Sequence, residues 1–222
     1  MTRSTNTSHR RTSPQKFLFA SLLVAAVACT SPSTTANSAN MLTGDARKAQ
    51  ILEGRYLALS HDCGGCHGGG SDPRSPAWLS GVRDPAQEFK IGPFTTRPKN
   101  LTPDNQTGTG RFTERQLFNA LRYGLRPEET PDVEITSTVP GQGNFPLHPH
   151  FLAIPMPWPA WRHMPDRELW AIAAYLKEGL KPVRNVVKDS EGPPDFWAGY
   201  YVNDTIGTHP AAPFPTAQEK GN

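Results

Sequence analysis

Three segments of the chain repeat apolar residues at the three- and four-residue spacing of an α-helix. The first runs from Asp45 to Leu59, and its expected apolar face holds Ala49, Leu52, Tyr56 and Leu59. Gly54 stands inside this segment, where a glycine lowers helix propensity. A glycine at such a position indicates a close crossing with another helix.

The second helix is predicted from its start signal, a capping box of Thr113 and Gln116. Phe112 and Leu117 are placed around this start as a hydrophobic staple. The helix is expected to stop at Gly124, because glycine readily takes the left-handed conformation that ends helices.

The third helix is expected to begin with Asp166 as its N-cap and to end near Lys177–Gly179. Its apolar face holds Leu169, Ile172, Ala173 and Leu176. Long loops separate the three helices, and residues 126–149 show no periodicity. No stretch predicts a convincing sheet, so the pattern favours an all-α fold of three main helices and long loops.

The N-terminus has the pattern of an export signal. A basic and polar stretch through Lys16 precedes a 12-residue apolar run, which is shorter than the ~20 residues that span a bilayer. We therefore predict a signal peptide over 1–28, a polar linker over 29–43, a domain over 44–183 and a Pro/Gly-rich extension over 184–222.

Cys29 follows small apolar residues, as in a bacterial lipobox. Cleavage before it would make Cys29 the lipid-carrying first residue of a lipoprotein, and more than one acyl chain gives stable anchoring. The polar linker would then tether the domain to the membrane. The alternatives are ordinary cleavage after Ala28 or near Ala39, which leaves Cys29 free or removes it, and an uncleaved anchor.

Composition and charge exclude several classes of protein. Proline supplies 23 of 222 residues, about twice the usual ~5 %, which argues against a helical bundle, a coiled coil or a multi-span membrane protein. Four of the 23 Lys and Arg residues precede residue 29, where there is no acid, which leaves 19 basic against 20 acidic residues. This balance gives no basic surface for nucleic acid.

Residues 63–67 read Cys-Gly-Gly-Cys-His, the C-x-x-C-H attachment pattern of c-type haem. The thiols of Cys63 and Cys66 can reach the two vinyl groups of one porphyrin, and His67 can ligate its iron. A zinc site completed by His61 and His67 is one alternative. A redox dithiol is another, although the thioredoxin-like βαβ pattern is missing.

A sulfur ligand on the other side of the iron would suit electron transfer. Met156 is the favoured candidate, since prolines on both sides stiffen its loop. Met164 directly precedes the third helix and is expected to pack beneath it. The remaining alternatives are His148, His150, His163 or an open sixth position.

Other expectations concern the surroundings of this site. The Nδ1–H of His67 is expected to bond a carbonyl of the following loop, at Pro73 or Pro76. The segment Asn100–Asp104 is either close to a haem propionate or a plain proline turn. Arg97 and Lys99 pair with propionates or a partner, or they are solvated. The aromatic residues of the extension either wrap onto the domain or form a docking surface: Phe196, Trp197, Tyr200 and Tyr201.

Several motifs follow one another along the chain: Gly54–Ala58, Asn100–Asp104, Thr107–Gly110, Phe112, Ala120–Gly124, Met156–Trp158 and Ala174–Leu176. With the C-x-x-C-H motif, they resemble class I cytochrome c domains over about residues 44–183. More narrowly, they resemble the cytochrome subunits of membrane-bound alcohol and gluconate dehydrogenases. The resemblance implies crossing terminal helices, one covalently bound haem and Met156 as an iron ligand. Subunits of that family usually hold three such domains, whereas this chain has one C-x-x-C-H motif.

The sequence therefore predicts a periplasmic, lipid-anchored monohaem cytochrome that carries single electrons and is not itself an enzyme. Its expected partners are a redox donor and an acceptor, such as a dehydrogenase or a terminal oxidase. One alternative is an electron-transfer subunit of a larger membrane-associated oxidoreductase. Another is a peroxidase-like haem enzyme with an open sixth site.

Overall fold

The computed structural model describes residues 43–83, 87–193, 196–207, 209 and 218–219. The predicted signal peptide, Cys29 and the linker up to residue 42 lie outside these ranges. Within the part of the chain that is described, no helix is both long enough and apolar enough to cross a membrane.

The regular structure of the described chain is mainly α-helical, as the sequence predicts, and long loops connect the helices. Its helices are α1 (Gly44–Ser60), α2 (Cys63–His67), α3 (Glu114–Tyr123), α4 (Trp158–Trp161), α5 (Asp166–Glu178) and α6 (Asn203–Ile206). Short 3-10 helices cover Thr109–Arg111 and Ala198–Tyr200. An antiparallel hairpin of β1 (Phe89–Ile91) and β2 (Phe94–Thr96) was not expected, because three-residue strands are too short to show alternation.

Helices α1 and α5 cross closely at Gly54. A Cβ at this position would lie 1.9 Å from the carbonyl oxygen of Ala171, so only glycine allows the two backbones this approach. The predicted crossing is confirmed. The same contact corrects the expected inner face of α1: Leu52 and Tyr56 are exposed, whereas Leu57 is buried. The periodicity predicts the helix correctly, but Gly54 decides which side of the helix faces α5.

An ion-pair network joins three helices at the end of this crossing. The guanidinium of Arg47 on α1 lies 2.6 Å from a carboxylate oxygen of Glu178 on α5 and also pairs with Glu114 on α3. The hydrogen bond to Glu178 is the largest cause of a raised pKa for Arg47. The network therefore fixes the starts of α1 and α3 to the end of α5.

The ends of α3 and α5 are held differently. The capping box of α3 is confirmed: Thr113 Oγ1 accepts from the backbone N–H of Gln116, and Gln116 accepts from Thr113. Gly124 ends α3 with φ of +69°. Asp166 was expected to cap α5 but is its first residue, because its carboxylate pairs with Arg122 of α3 instead.

The apolar interior has two parts. The first lies between the long helices and is built mainly from Leu57, Leu117, Leu121, Leu169, Ile172, Tyr175 and Leu176. The second is built from β2, α4, the loops around them and the extension: Phe94, Leu125, Ile135, Phe145, Phe151, Trp158 and Trp197. Residues 126–149, which lack periodicity, thus supply part of a core.

The aromatic residues of the extension divide between the two expected roles. Trp197 is fully buried, and the hydroxyl of Tyr201 donates to the carbonyl of Leu152 at 3.3 Å. Phe196 and Tyr200 remain 41 % and 62 % exposed. The segment therefore wraps onto the domain through one part of its aromatic cluster and leaves the other part at the surface.

Candidate functional site

One cavity of about 390 Å³ brings the predicted site residues together. Cys63, Cys66 and His67 reach it from α2, and Met156 reaches it from the loop before α4. The remaining wall is largely apolar and comes from α3, α5 and the loop before them: Leu101, Phe112, Leu117, Leu121, Ile172 and Leu176.

Helix α2 places both cysteines on the cavity because residues three apart share one face of a helix. A Cβ at Gly64 would lie 2.2 Å from the indole ring of Trp78, so this glycine makes room for that ring. The indole Nε1 in turn donates to the hydroxyl of Tyr175 at 2.9 Å. Helix α2 is thereby held against α5 through Trp78.

The imidazole of His67 is oriented by a carbonyl distant in sequence. Its Nδ1 lies 2.7 Å from the oxygen of Lys99, which corrects the expectation of Pro73 or Pro76. The segment before Leu101 runs beside the loop after α2, where the N–H of Leu101 bonds the oxygen of Leu79 at 2.8 Å. This pairing brings Lys99 to the histidine, and no local signal marks it.

Burial lowers the pKa of His67, which favours the neutral ring. A carbonyl can only accept a hydrogen bond, so the proton lies on Nδ1 and Nε2 keeps its lone pair. The ring is therefore prepared to act as a ligand through Nε2.

The surroundings of both cysteines favour the protonated thiol. Burial, and secondly the carboxylate of Asp62, raise the pKa of Cys63 to about 12, and the same causes raise that of Cys66. Zinc sites and redox dithiols use thiolates instead. Among the residues that the structure describes, no group of three or more His, Cys, Asp and Glu side chains is arranged to hold a metal ion.

Met156 is half-buried on the cavity wall between Pro155 and Pro157. Its N–H donates to the oxygen of Ala153 at 2.9 Å, which closes a turn before α4. Met164 packs against the core cluster of the long helices, as expected. The cavity lining includes neither Met164 nor the histidines considered as alternatives, His148, His150 and His163.

The segment Asn100–Asp104 is a tightly bonded turn. The side chain of Asn100 donates to the oxygen of Val183 at 2.7 Å and accepts from the N–H of Thr102 at 2.9 Å. Asp104 accepts from the N–H and the hydroxyl of Thr107. These bonds fix the loop that carries the carbonyl of Lys99.

Arg97 and Lys99 also line the cavity, and both pair with carboxylates of this chain: Arg97 is buried, whereas Lys99 stays partly exposed. Arg97 pairs with Glu88 at 2.5 Å and with Glu191 at 3.4 Å. Lys99 pairs with Asp189 at 3.0 Å. No spacing rule connects Arg97 and Lys99 with Glu191 and Asp189 of the extension, so the sequence carries no signal for these two pairs.

Lys177 fixes the turn that precedes α3. Its ammonium donates to the oxygens of Gly110 and Phe112 at 2.8 and 2.5 Å. We expect Lys177→Met to lower the free energy of unfolding by about 1–3 kcal/mol, because these carbonyls lose a charged donor. Urea denaturation checks this, with exposed Lys181→Met as a control that stays within about 0.5 kcal/mol of the wild type. Equal effects of the two substitutions contradict the proposed bonding.

Comparison with known proteins gives several relatives, whereas no protein-family profile matches the chain. The cytochrome c subunit of the quinone alcohol dehydrogenase of Gluconacetobacter polyoxogenes is 29 % identical over 68 % of this chain and 26 % of its own length. The fructose dehydrogenase cytochrome subunit of Gluconobacter japonicus is 28 % identical over 62 % and 23 %. The gluconate 2-dehydrogenase cytochrome c subunit of Pantoea cypripedii is 27 % identical over 80 % and 36 %.

These relatives confirm the resemblance to cytochrome c subunits that the motifs indicate. The aligned part spans only about a quarter to a third of each relative's length.

Proposed function

Because this chain is similar to cytochrome c subunits of dehydrogenases, we propose that it is a monohaem c-type cytochrome that transfers single electrons outside the cytoplasm. It takes them from a dehydrogenase or another respiratory donor and passes them to a redox acceptor, without being an enzyme itself. The observation that carries this proposal is the meeting of two cysteines, a histidine and a methionine on one apolar cavity.

The residues of the cavity fit a covalently bound haem. Cys63 and Cys66 offer two thiols on one helix face, and His67 offers a neutral imidazole nitrogen. Met156 offers a soft sulfur from the loop before α4. Haem c, when bound, supplies reversible one-electron chemistry at its iron.

The chain's own residues would set how easily that electron is gained. The carbonyl of Lys99 orients His67 and strengthens it as a ligand. The sulfur of Met156 would favour the reduced iron of a bound haem and so raise its reduction potential. The apolar wall from α3 and α5 excludes water and lowers the local dielectric.

We also propose the arrangement that the sequence predicts: a signal peptide over 1–28, a lipid at Cys29, a linker over 29–43, the haem domain over 44–183 and an extension over 184–222. The lipid would keep the domain at the periplasmic surface of a membrane. Redox partners that reach this surface are its donor and acceptor.

A second candidate function is that of an electron-transfer subunit held in a larger oxidoreductase. The names of the relatives favour it, since each is a subunit of a dehydrogenase. Gentle solubilisation separates the two candidates. A dehydrogenase that co-purifies in fixed ratio supports the subunit, whereas a monodisperse protein without a stable partner supports the free carrier.

The cysteines allow a matched test of haem attachment. We expect the full chain, expressed with a haem-attachment system, to have the mass of the polypeptide plus one haem, which remains bound after denaturation. Replacing Cys63 and Cys66 together with serine should abolish this attachment. Cys29→Ser should keep the haem but release the protein from the membrane fraction. Retention of covalent haem in the double variant contradicts the proposed site.

A further inference from the structure

A second group of polar side chains lies outside the cavity, where α3 and α4 meet the extension. It consists of Arg122, Arg162, His163 and His209. None of the four lines the cavity. The two arginines are 4 % and 3 % exposed, so two guanidinium groups are buried beside each other.

The guanidinium of Arg122 is bonded to three neighbouring groups. It donates to the carbonyl oxygens of Arg162 and Met164, the latter at 2.9 Å, and it pairs with Asp166. The Asp166 side chain is 75 % exposed, so water weakens its charge. Asp166 therefore balances one buried arginine and not two.

Arg162 lacks such a partner within the described part of the chain. Its Nε is buried without a hydrogen bond, and no described carboxylate lies at ion-pair distance from its guanidinium. The guanidinium lies 5.8 Å over the ring of Trp158, which satisfies none of its N–H groups. Burial and the neighbouring charge of Arg122 lower the pKa of Arg162.

His209 approaches the arginines from the extension. Its ring lies 5.9 Å from that of His163 and 6.3 Å from that of Tyr123. Its Nδ1 is a second buried polar atom without a partner in the described chain. Burial, and then the charges of Arg122 and Arg162, lower the pKa of His209 to about 4.

We propose that Arg162 and His209 bind a small oxyanion of the carboxylate or phosphate class beneath the extension. An unpaired buried cation costs several kcal/mol, and an anion removes that cost. A guanidinium binds such an anion through two parallel N–H bonds, and the imidazole adds a further donor. Because His209 belongs to the extension, the bound anion would also fasten this segment to the domain.

The experiment measures the thermal stability of the full haem-loaded chain in sodium phosphate and in sodium acetate, each at the ionic strength of a sodium chloride reference. At about 100 times its Kd, a bound anion should raise Tm by about 5–10 °C. The anion with the greater effect identifies the chemical class. If neither anion raises Tm above the chloride reference, the proposal is overturned.

Three variants locate the effect. Arg162→Met should lose the anion-dependent rise, and His209→Gln should weaken Kd about tenfold or more. The control Arg167→Met, which removes an exposed arginine of α5, should keep the full effect. An unchanged rise in Arg162→Met overturns the proposal. If Arg162→Met does not fold, an unchanged Kd in His209→Gln overturns the proposal instead.

Discussion

Replacing Met156 with alanine is expected to convert a low-spin haem spectrum into a high-spin one and to lower the reduction potential by more than about 0.1 V. Sulfur ligation favours the reduced iron, and axial ligands cover a range of about 0.8 V in haem proteins. The optical spectrum of the oxidised protein should lose the weak sulfur-to-iron charge-transfer band. A potentiometric titration measures the change in potential.

Met164→Ala is the matched control for this experiment. Met164 is also half-buried, but it packs on the helical core and not on the cavity. This variant should lose stability and keep the charge-transfer band. Loss of the band in Met164→Ala, or its survival in Met156→Ala, contradicts ligation by Met156. A wild-type protein that is already high-spin and binds carbon monoxide would instead support an open sixth site and the enzyme hypothesis.

Gly54→Ala is expected to lower the free energy of unfolding by about 3 kcal/mol or more. Alanine should favour an isolated helix by about 1 kcal/mol, so its propensity opposes this result. The added Cβ would, however, meet backbone atoms of Ala171, which cannot rotate away as a side chain can. The helices must therefore separate, and overpacking of this kind costs about 1–3 kcal/mol or more.

Thermal unfolding of the loaded protein measures this effect, which corresponds to a fall in Tm of about 10 °C. Gly199→Ala is the control, because a Cβ at Gly199 would meet no atom within 4 Å. The control should unfold at the wild-type temperature. A Gly54 variant that is as stable as this control contradicts the close crossing of α1 and α5.

Much of this architecture is encoded in local patterns. The capping box of Thr113 and Gln116 predicts the start of α3, and Gly54 predicts a crossing before any partner helix is known. The C-x-x-C-H motif and the proline-flanked Met156 likewise name residues that line one cavity. Each of these motifs is short and has a local physical cause, so a single sequence is sufficient to recognise it.

The rest depends on contacts between distant segments. The bond from His67 to Lys99 and the ion pair of Arg97 with Glu191 join residues that no periodicity relates. Asp166 shows that a local signal can also mislead. Its residue type and position suit an N-cap, but Arg122 binds the carboxylate that would form the cap. The predicted inner face of α1 was also wrong. The close contact of Gly54 with Ala171 decides which side of the helix is buried, and the apolar stripe does not.

The ion pair between Arg47 and Glu178 has a consequence for how the protein is made. Its two residues are 131 positions apart in sequence, near opposite ends of the crossing helices. At about 5–20 residues per second, a ribosome needs about 7–26 s to travel from one to the other. During this interval the inner face of α1 has no partner helix, and closing so long a loop slows folding further. The inner face of α1 therefore stays exposed at least until α5 has been synthesised.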